Sequence, residues 1–244
     1  MENQKIYNLI ILDASGSMER IYSQALSGVN ETLATIRMAQ EAHPELRQYV
    51  SLASFSAGEN FLNRIFSAVP VGEARNITPA DYPLLGCTAL YDAVGTCIGE
   101  LQQKATHNDR VLVTVITDGY ENASRTWSSG QIYSLVTELR GMGWTFTYIG
   151  ADQDVKRVAH DLGVKNSLRF SANAEETKKM FEKERACRGM FYDKVSFSMT
   201  APRGQAAMKE DTDYFGDSDE PDGAPATPDE PRQKKSFLAR LLGK

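Results

Sequence analysis

Two apolar runs, each ending in an aspartate, constrain the fold of this chain more than any other feature. The first, LIILD, ends at Asp13, and the second, VLVTVITD, ends at Asp118. Continuous apolar runs of this length are typical of parallel strands that are buried on both faces. In open parallel sheets the functional crevice lies beyond the carboxyl ends of the strands. Both aspartates are therefore expected at one edge of a sheet, close to the same crevice.

Strand and helix patterns alternate along most of the chain. The 50–55 and 61–66 runs are joined by a short turn and predict a hairpin, which makes one edge strand antiparallel. The full pattern predicts an α/β fold with a doubly wound, mostly parallel central sheet and helices on both faces. Its strands are predicted at 6–12, 50–55, 61–66, 111–117, 145–149 and 167–170, and its helices at 19–41, 89–104, 131–140, 153–162 and 174–185.

Hydroxyl side chains accompany the two aspartates. Ser15 and Ser17 follow Asp13 in a D-x-S-x-S pattern, and Thr88 in the GCTALYDAV stretch lies before the helix predicted at 89–104. Two neighbouring carboxylates repel each other unless a cation or a proton lies between them. Carboxylate and hydroxyl oxygens are hard ligands, which favour Mg²⁺, with Mn²⁺ or Ca²⁺ as alternatives, over Zn²⁺.

Each of these residues also has a simpler interpretation. Ser15 and Ser17 could cap the helix that follows them. Asp118 followed by Gly119 is a common turn signal. Asp92 could support the start of its helix through the helix dipole. The three motifs together favour metal binding over these separate interpretations.

In this order and at these separations, DASGSM, GCTALYDAV and ITDGYEN resemble the von Willebrand factor type A (VWA) domain and its metal-ion-dependent adhesion site. The resemblance covers roughly residues 5 to 187 and departs from the family at Cys87, where Gly is frequent. The general layout is similar to that of small cytoplasmic bacterial VWA proteins associated with tellurium resistance and stress responses. The metal ligands that the resemblance implies are Asp13, Ser15, Ser17, Thr88 and Asp118.

The function that this resemblance implies is binding without turnover. A Mg²⁺ ion with few charged protein ligands keeps exchangeable waters, and in the family an Asp or Glu of a partner protein replaces one of them. We therefore expect a metal-dependent protein-interaction module, not an enzyme. The alternative is a Mg²⁺-dependent phosphoryl-transfer enzyme, but phosphatases of the haloacid-dehalogenase type need an acid where this chain has Ser15.

Composition and charge restrict the setting. A formal charge of −5 gives no reason to expect nucleic-acid binding. No apolar run approaches the roughly 20 residues of a membrane span, and the N-terminus lacks the basic lead and cleavage site of a secretory signal. These features predict a cytoplasmic protein, in which Cys87, Cys97 and Cys187 are expected to be free thiols.

The C-terminal part differs in composition from the rest. The sequence predicts a VWA domain over 1–200, an acidic, Pro/Gly-rich disordered linker over 201–231 and a basic amphipathic peptide over 232–244. The peptide could dock into a partner groove, make weak membrane contact, or serve as a solubilising tail. Carboxylates of the linker could also reach the open metal position of their own domain or of another copy.

Overall fold

A computed structural model of the chain describes residues 4–151, 154–200 and 213–216. Six strands and five α-helices lie within these ranges, and they alternate except where β2 is followed directly by β3. Short 3₁₀ helices lie at Gly16–Ile21, Val71–Glu73 and Pro79–Asp81. The strands are β1 (Gln4–Asp13), β2 (Leu46–Phe55), β3 (Leu62–Pro70), β4 (Arg110–Thr117), β5 (Thr145–Ala151) and β6 (Asn166–Phe170). The helices are α1 (Tyr22–Ala42), α2 (Leu90–Gln102), α3 (Ser129–Gly141), α4 (Val155–Asp161) and α5 (Ala174–Thr200).

The strands form one sheet in the order β3-β2-β1-β4-β5-β6. Only the β2–β3 pair is antiparallel, and it lies at the edge. This confirms the predicted doubly wound, mostly parallel sheet with one antiparallel edge strand. The two strands that end in aspartate are neighbours, and Leu12 of β1 lies level with Ile116 of β4. Asp13 and Asp118 therefore leave the sheet side by side.

Alternate side chains of β1 enter two separate hydrophobic clusters, one on each face of the sheet. Ile10 and Leu12 pack with residues of α1 and α5. Leu9 and Ile11 pack with residues of α2, α3 and α4. Each fully buried aliphatic side chain contributes about 1.5–3 kcal/mol of burial free energy. Both faces of β1 are thus held by apolar packing, which explains why its sequence is continuously apolar.

Helix α5 is longer than the sequence pattern predicts. The prediction ended it near residue 185, whereas the structure continues it to Thr200. The added turns bury Phe191, Tyr192 and Val195 against the α1 face of the sheet. They also bury Arg188 completely. A buried charge on the inner face of the helix interrupted the apolar periodicity, so the prediction stopped too early.

Two residues of the predicted linker are buried in the folded core. In the 213–216 segment Tyr214 is 2% exposed and Phe215 is 7% exposed. The Tyr214 ring packs against Phe191, and its backbone N–H donates to Asn166 Oδ1 over 3.2 Å. Tyr214 and Phe215 therefore do not behave as the linker that was predicted over 201–231, and residues 201–212 and 217–231 lie outside the described residues. The basic peptide at 232–244 lies outside the described residues, and its role stays a prediction.

The cysteines are free, as predicted. Cys97 and Cys187 are buried, whereas Cys87 is exposed beside Thr88. Within the described ranges, no helix combines the length and apolar character that crossing a membrane requires.

Candidate metal site

The first loop of the site starts at the last residue of β1. Asp13 is completely buried, and its Oδ1 accepts a hydrogen bond from the Ser15 backbone N–H over 2.7 Å. Its Oδ2 accepts from the Thr117 hydroxyl over 2.5 Å. Thr117 is the last residue of β4, so the neighbouring strand orients this carboxylate. The role of Thr117 was not predicted, because a threonine in a strand pattern is typical of ordinary β structure.

The two serines connect the first loop to Asp118. The Oγ atoms of Ser15 and Ser17 lie 3.0 Å apart. The Ser17 hydroxyl donates to Asp118 Oδ1 over 2.5 Å. Ser15 occupies the N-cap position of the 3₁₀ helix, but its side chain makes no capping hydrogen bond. The hydroxyl groups therefore turn into the site, and the capping interpretation of Ser15 is not supported.

Three oxygen atoms surround a small space at Gly119. A Cβ atom built on this glycine would lie 3.0 Å from Thr88 Oγ1, 3.4 Å from Ser17 Oγ and 3.6 Å from Asp13 Oδ2. Ser17 and Asp13 lie on one loop, Thr88 lies on a second, and Gly119 lies on a third. Their oxygens converge on one point that a methyl group would fill. Mg²⁺ prefers oxygen ligands at about 2.0–2.1 Å. The donor set and the space therefore fit a small hard cation after modest inward movement.

Asp13, Ser15, Ser17 and Asp118 are thus joined by hydrogen bonds, and the Thr88 hydroxyl lies at the same space beside Gly119. In the part of the chain that the structure describes, no three His, Cys, Asp or Glu side chains are arranged to hold a metal. A cation at this site would therefore depend on the hydroxyl groups as well as on the two carboxylates. Such a set of ligands suits Mg²⁺, Mn²⁺ or Ca²⁺ better than Zn²⁺.

The Thr88 loop is fixed by the loop that follows Asp118. The Thr88 backbone N–H donates to Asn122 Oδ1 over 2.9 Å, and the Asn122 N–H donates to the Thr88 carbonyl over 3.1 Å. Glu121 accepts from the backbone N–H of Tyr91 over 3.0 Å. Both residues lie within the ITDGYEN motif. Their positioning role was not predicted, although the motif itself contained them.

Asp92 anchors the same loop from the first turn of α2. Its carboxylate accepts three backbone N–H groups, those of Arg125, Thr126 and Trp127, over 2.7–2.9 Å. Asp92 lies in the first turn of α2, as predicted, and it also ties α2 to the loop that follows Asp118. The Trp127 indole ring packs directly against Gly95. A Cβ atom at this position would lie 2.4 Å from the ring, so only glycine fits there.

A buried tyrosine, Tyr82, fixes the backbone at Asp13 through a hydrogen bond. The Tyr82 hydroxyl donates to the Asp13 carbonyl oxygen over 2.6 Å, and its ring stacks on Tyr22 at 5.2 Å between centroids. Burial is the main reason that the pKa of Tyr82 is raised well above its usual value. Tyr82 therefore stays protonated and acts as a hydrogen-bond donor.

The site carries negative charge at a cost in free energy. Burial raises the pKa of Asp13 to about 6, while the hydrogen bonds from Thr117 and Ser15 act in the opposite direction. The side chain of Asp118 is fully buried, and its Oδ2 lies 3.5 Å from the Arg20 guanidinium, whose side chain is 56% exposed. One distant arginine offsets only part of the charge of two carboxylates. A divalent cation would offset it fully.

Comparisons with known proteins address the fold. No protein-family model matches the chain, and no curated protein matches it. The pilus adhesin SpaC from Lactobacillus rhamnosus GG superposes with a TM-score of 0.61 at 13% identity, over 79% of this chain and 31% of that one. The PilB minor pilin from Streptococcus sanguinis gives 0.54 at 13% identity, over 82% of this chain and 64% of that one. The SpRpn10 VWA domain gives 0.49 at 9% identity, over 73% and 94%.

The two pilus proteins share the fold of this chain, and at these identities the likeness goes no further than the fold. The chain spans less than two thirds of the length of either protein.

Proposed function

We propose that this protein is a VWA-type module that binds a protein partner through a metal ion. Asp13, Ser15, Ser17, Thr88 and Asp118 would hold Mg²⁺, and an Asp or Glu of the partner would coordinate its open position. The observation that carries the proposal is the convergence of oxygens from two loops, Asp13 and Ser17 on one and Thr88 on the other, on the space at Gly119 of a third loop. The likeness of the fold to an adhesin and a pilin supports a role in protein interaction.

The chemistry of the bound ion would be that of a Lewis acid with exchangeable waters. The chain supplies the positioning. The Thr117 hydroxyl and the Ser15 N–H hold the Asp13 carboxylate, and the two hydrogen bonds between Asn122 and the Thr88 backbone hold the Thr88 loop. Because these hydrogen bonds already hold Asp13 and Thr88 beside the space at Gly119, binding would need only a modest inward movement of the ligands, which limits the entropic cost of binding.

The test measures metal binding and partner capture together. Isothermal titration with Mg²⁺ should give binding to the wild type and none to Asp13→Asn, with Asp161→Asn as a surface control that keeps it. An affinity pull-down in Mg²⁺ should retain a partner that is lost in EDTA and with Asp13→Asn. Capture that persists unchanged in EDTA would contradict the proposal.

The enzyme alternative has its own test. A phosphatase assay with generic phosphomonoesters should show no Mg²⁺-dependent difference between the wild type and Asp13→Asn. Turnover that is lost only in the variant would favour the phosphoryl-transfer interpretation. The cytoplasmic location and the bacterial stress-response setting stay predictions.

A further inference from the structure

A groove lies between the first halves of α1 and α5. Its volume is about 630 Å³, which is within the range of about 300–1,000 Å³ that ligand pockets occupy. Exposed residues form its rim, and buried residues form its floor. Among the residues that line it are Ser27, Gly28 and Glu31 of α1 and Glu175, Lys178 and Phe181 of α5.

A glycine sets the depth of this groove. The Phe181 ring lies against Gly28, where a Cβ atom would be 2.2 Å from it. Further along the two helices, the Thr32 hydroxyl lies 3.4 Å from Glu184 Oε2. The helices are therefore in contact from Gly28 onwards, and the groove occupies the space before that contact. Its floor is in place without a ligand, which limits the entropic cost of filling it.

The chain returns to α5 close to the groove. The Tyr214 hydroxyl donates to Glu184 Oε1 over 3.3 Å, and Glu184 lies about one helical turn after Phe181. The whole groove lies within about 15 Å of Glu184 along the helix axis. Gly216, which follows this anchor, is exposed. Fifteen residues, 217–231, separate it from the basic peptide at 232–244, and a chain of that length can span up to about 50 Å. The peptide can therefore reach the groove of its own domain.

The side chains of the basic peptide suit this groove. The peptide has five cations and no acid, whereas the groove presents the carboxylates of Glu31 and Glu175 and one ammonium, that of Lys178. Glu175 also pairs with Lys179 over 2.8 Å, but exposed ion pairs are weak and can be shared with another cation. Apolar side chains recur in the peptide at helical spacing and can cover the floor. They are Phe237, Leu238, Leu241 and Leu242.

We propose that residues 232–244 dock into the groove between α1 and α5 of their own domain. This goes beyond the proposed function and needs no metal. Tethering supplies the peptide at an effective concentration of about a millimolar, so a dissociation constant of about 1 mM gives a docked fraction of about one half. Such docking stabilises the fold by only RT ln 2, too little to change its melting temperature noticeably. It nevertheless withholds the peptide from a partner groove or a membrane.

A nitroxide spin label at the end of the peptide tests docking in the full chain. The label is attached through Gly243→Cys in a Cys87→Ser background, because Cys97 and Cys187 are buried. Its unpaired electron broadens the amide signals of ¹⁵N-labelled residues that come near it. We expect selective loss of signal over 23–31 and 174–181, and no loss in α3, which packs on the other face of the sheet. EDTA is present throughout, so the result does not depend on metal binding.

Two variants assign the contact to its residues. Phe237→Ser/Leu241→Ser should lower the docking constant at least about tenfold, because two apolar side chains no longer cover the floor. Ser27→Trp should fill the groove and restore the signals of its other residues. The matched control is Ser134→Trp in α3, because Ser134 is also an exposed serine whose hydroxyl bonds within its own helix. This control should leave docking unchanged.

The outcomes decide between the possible occupants. Absence of selective loss in the groove would overturn the proposal, as would a loss that persists in Phe237→Ser/Leu241→Ser. A mixture of ¹⁵N-labelled chain without nitroxide and unlabelled chain with nitroxide identifies docking between copies. If that mixture reproduces the loss, the peptide occupies the groove of a second copy, and the intramolecular proposal is wrong. Each of these results leaves the proposed metal-dependent function standing.

Discussion

At the scale of single residues, the site depends on atoms that a small substitution can remove. The space at Gly119 is bounded by oxygens of Thr88, Ser17 and Asp13 at 3.0–3.6 Å. The Gly119 backbone N–H donates to the Thr117 hydroxyl oxygen, and the same hydroxyl group donates to Asp13 Oδ2. Thr117 and Gly119 thus shape the site, although neither was predicted to be a metal ligand.

Replacing Gly119 by Ala should prevent Mg²⁺ binding and leave the fold intact. The added Cβ would occupy the space between the oxygens, where it would be closest to Thr88 Oγ1. We expect Mg²⁺ affinity to fall at least about tenfold, while the free energy of unfolding changes by about 1 kcal/mol or less. Isothermal titration and chemical denaturation measure the two quantities. Gly130→Ala, where nothing lies within 4 Å of the new Cβ, is the control and should bind Mg²⁺ normally.

Replacing Asp13 by Asn should stabilise the metal-free protein. The substitution removes one of two buried negative charges and keeps an oxygen that accepts the Ser15 N–H. We expect a gain on the order of 1 kcal/mol without metal and loss of the stabilisation that Mg²⁺ gives the wild type. Thermal unfolding with and without Mg²⁺ measures both. A wild type whose melting temperature does not respond to Mg²⁺ would contradict the prediction.

At the scale of elements, a buried ion pair within α5 is hydrogen-bonded to the two central strands. Arg188 contacts Glu184 over 2.7 Å and donates to Asn8 of β1 over 3.0 Å and to Thr114 of β4 over 2.8 Å. The Tyr214 hydroxyl donates to Glu184 over 3.3 Å. Helix, sheet and the 213–216 segment therefore share one network of hydrogen bonds.

Removing one partner of this network should be costly. Arg188→Met leaves Glu184 buried without its cation, and we expect a loss of about 3–5 kcal/mol of unfolding free energy. The double variant Glu184→Gln/Arg188→Met should recover part of the loss, because no buried charge remains unpaired. Urea denaturation of the three proteins gives the comparison. A double variant less stable than Arg188→Met would refute the explanation.

The sequence alone predicted the strands and helices whose apolar residues follow a regular spacing. The apolar runs that end at Asp13 and Asp118 predicted the central strands, and the three motifs predicted which loops meet. It was insufficient where a polar residue is buried by partners far along the chain. Arg188 concealed the second half of α5, and Thr117 looked like an ordinary strand residue. Such roles depend on contacts that no local pattern contains.

At the scale of the whole molecule, the folded unit includes a segment beyond α5. Tyr214 and Phe215 were assigned to the linker because the residues around them are acidic and rich in Pro and Gly. The structure buries both against α5 and β6. Local composition thus concealed an anchor that only tertiary contacts reveal.

Truncation should reveal this boundary. A chain that ends after residue 216 should unfold at the same temperature as the full chain. A chain that ends after residue 200 should be less stable by about 3 kcal/mol or more, because it loses two buried aromatic side chains. Differential scanning calorimetry compares the three proteins. Equal melting temperatures for the two truncated chains would show that the 213–216 segment contributes nothing.

The position of β1 has a mechanical consequence. This strand pairs with β2 along its whole length, from Gln4 to Asp13, and with β4 from Ile6 to Leu12. A partner pulling on Asp13 would load both ladders along their length, so that their hydrogen bonds resist together and do not open one after another as at a sheet edge. Under the proposed function, a partner would therefore pull on a strand that two neighbouring strands hold in place.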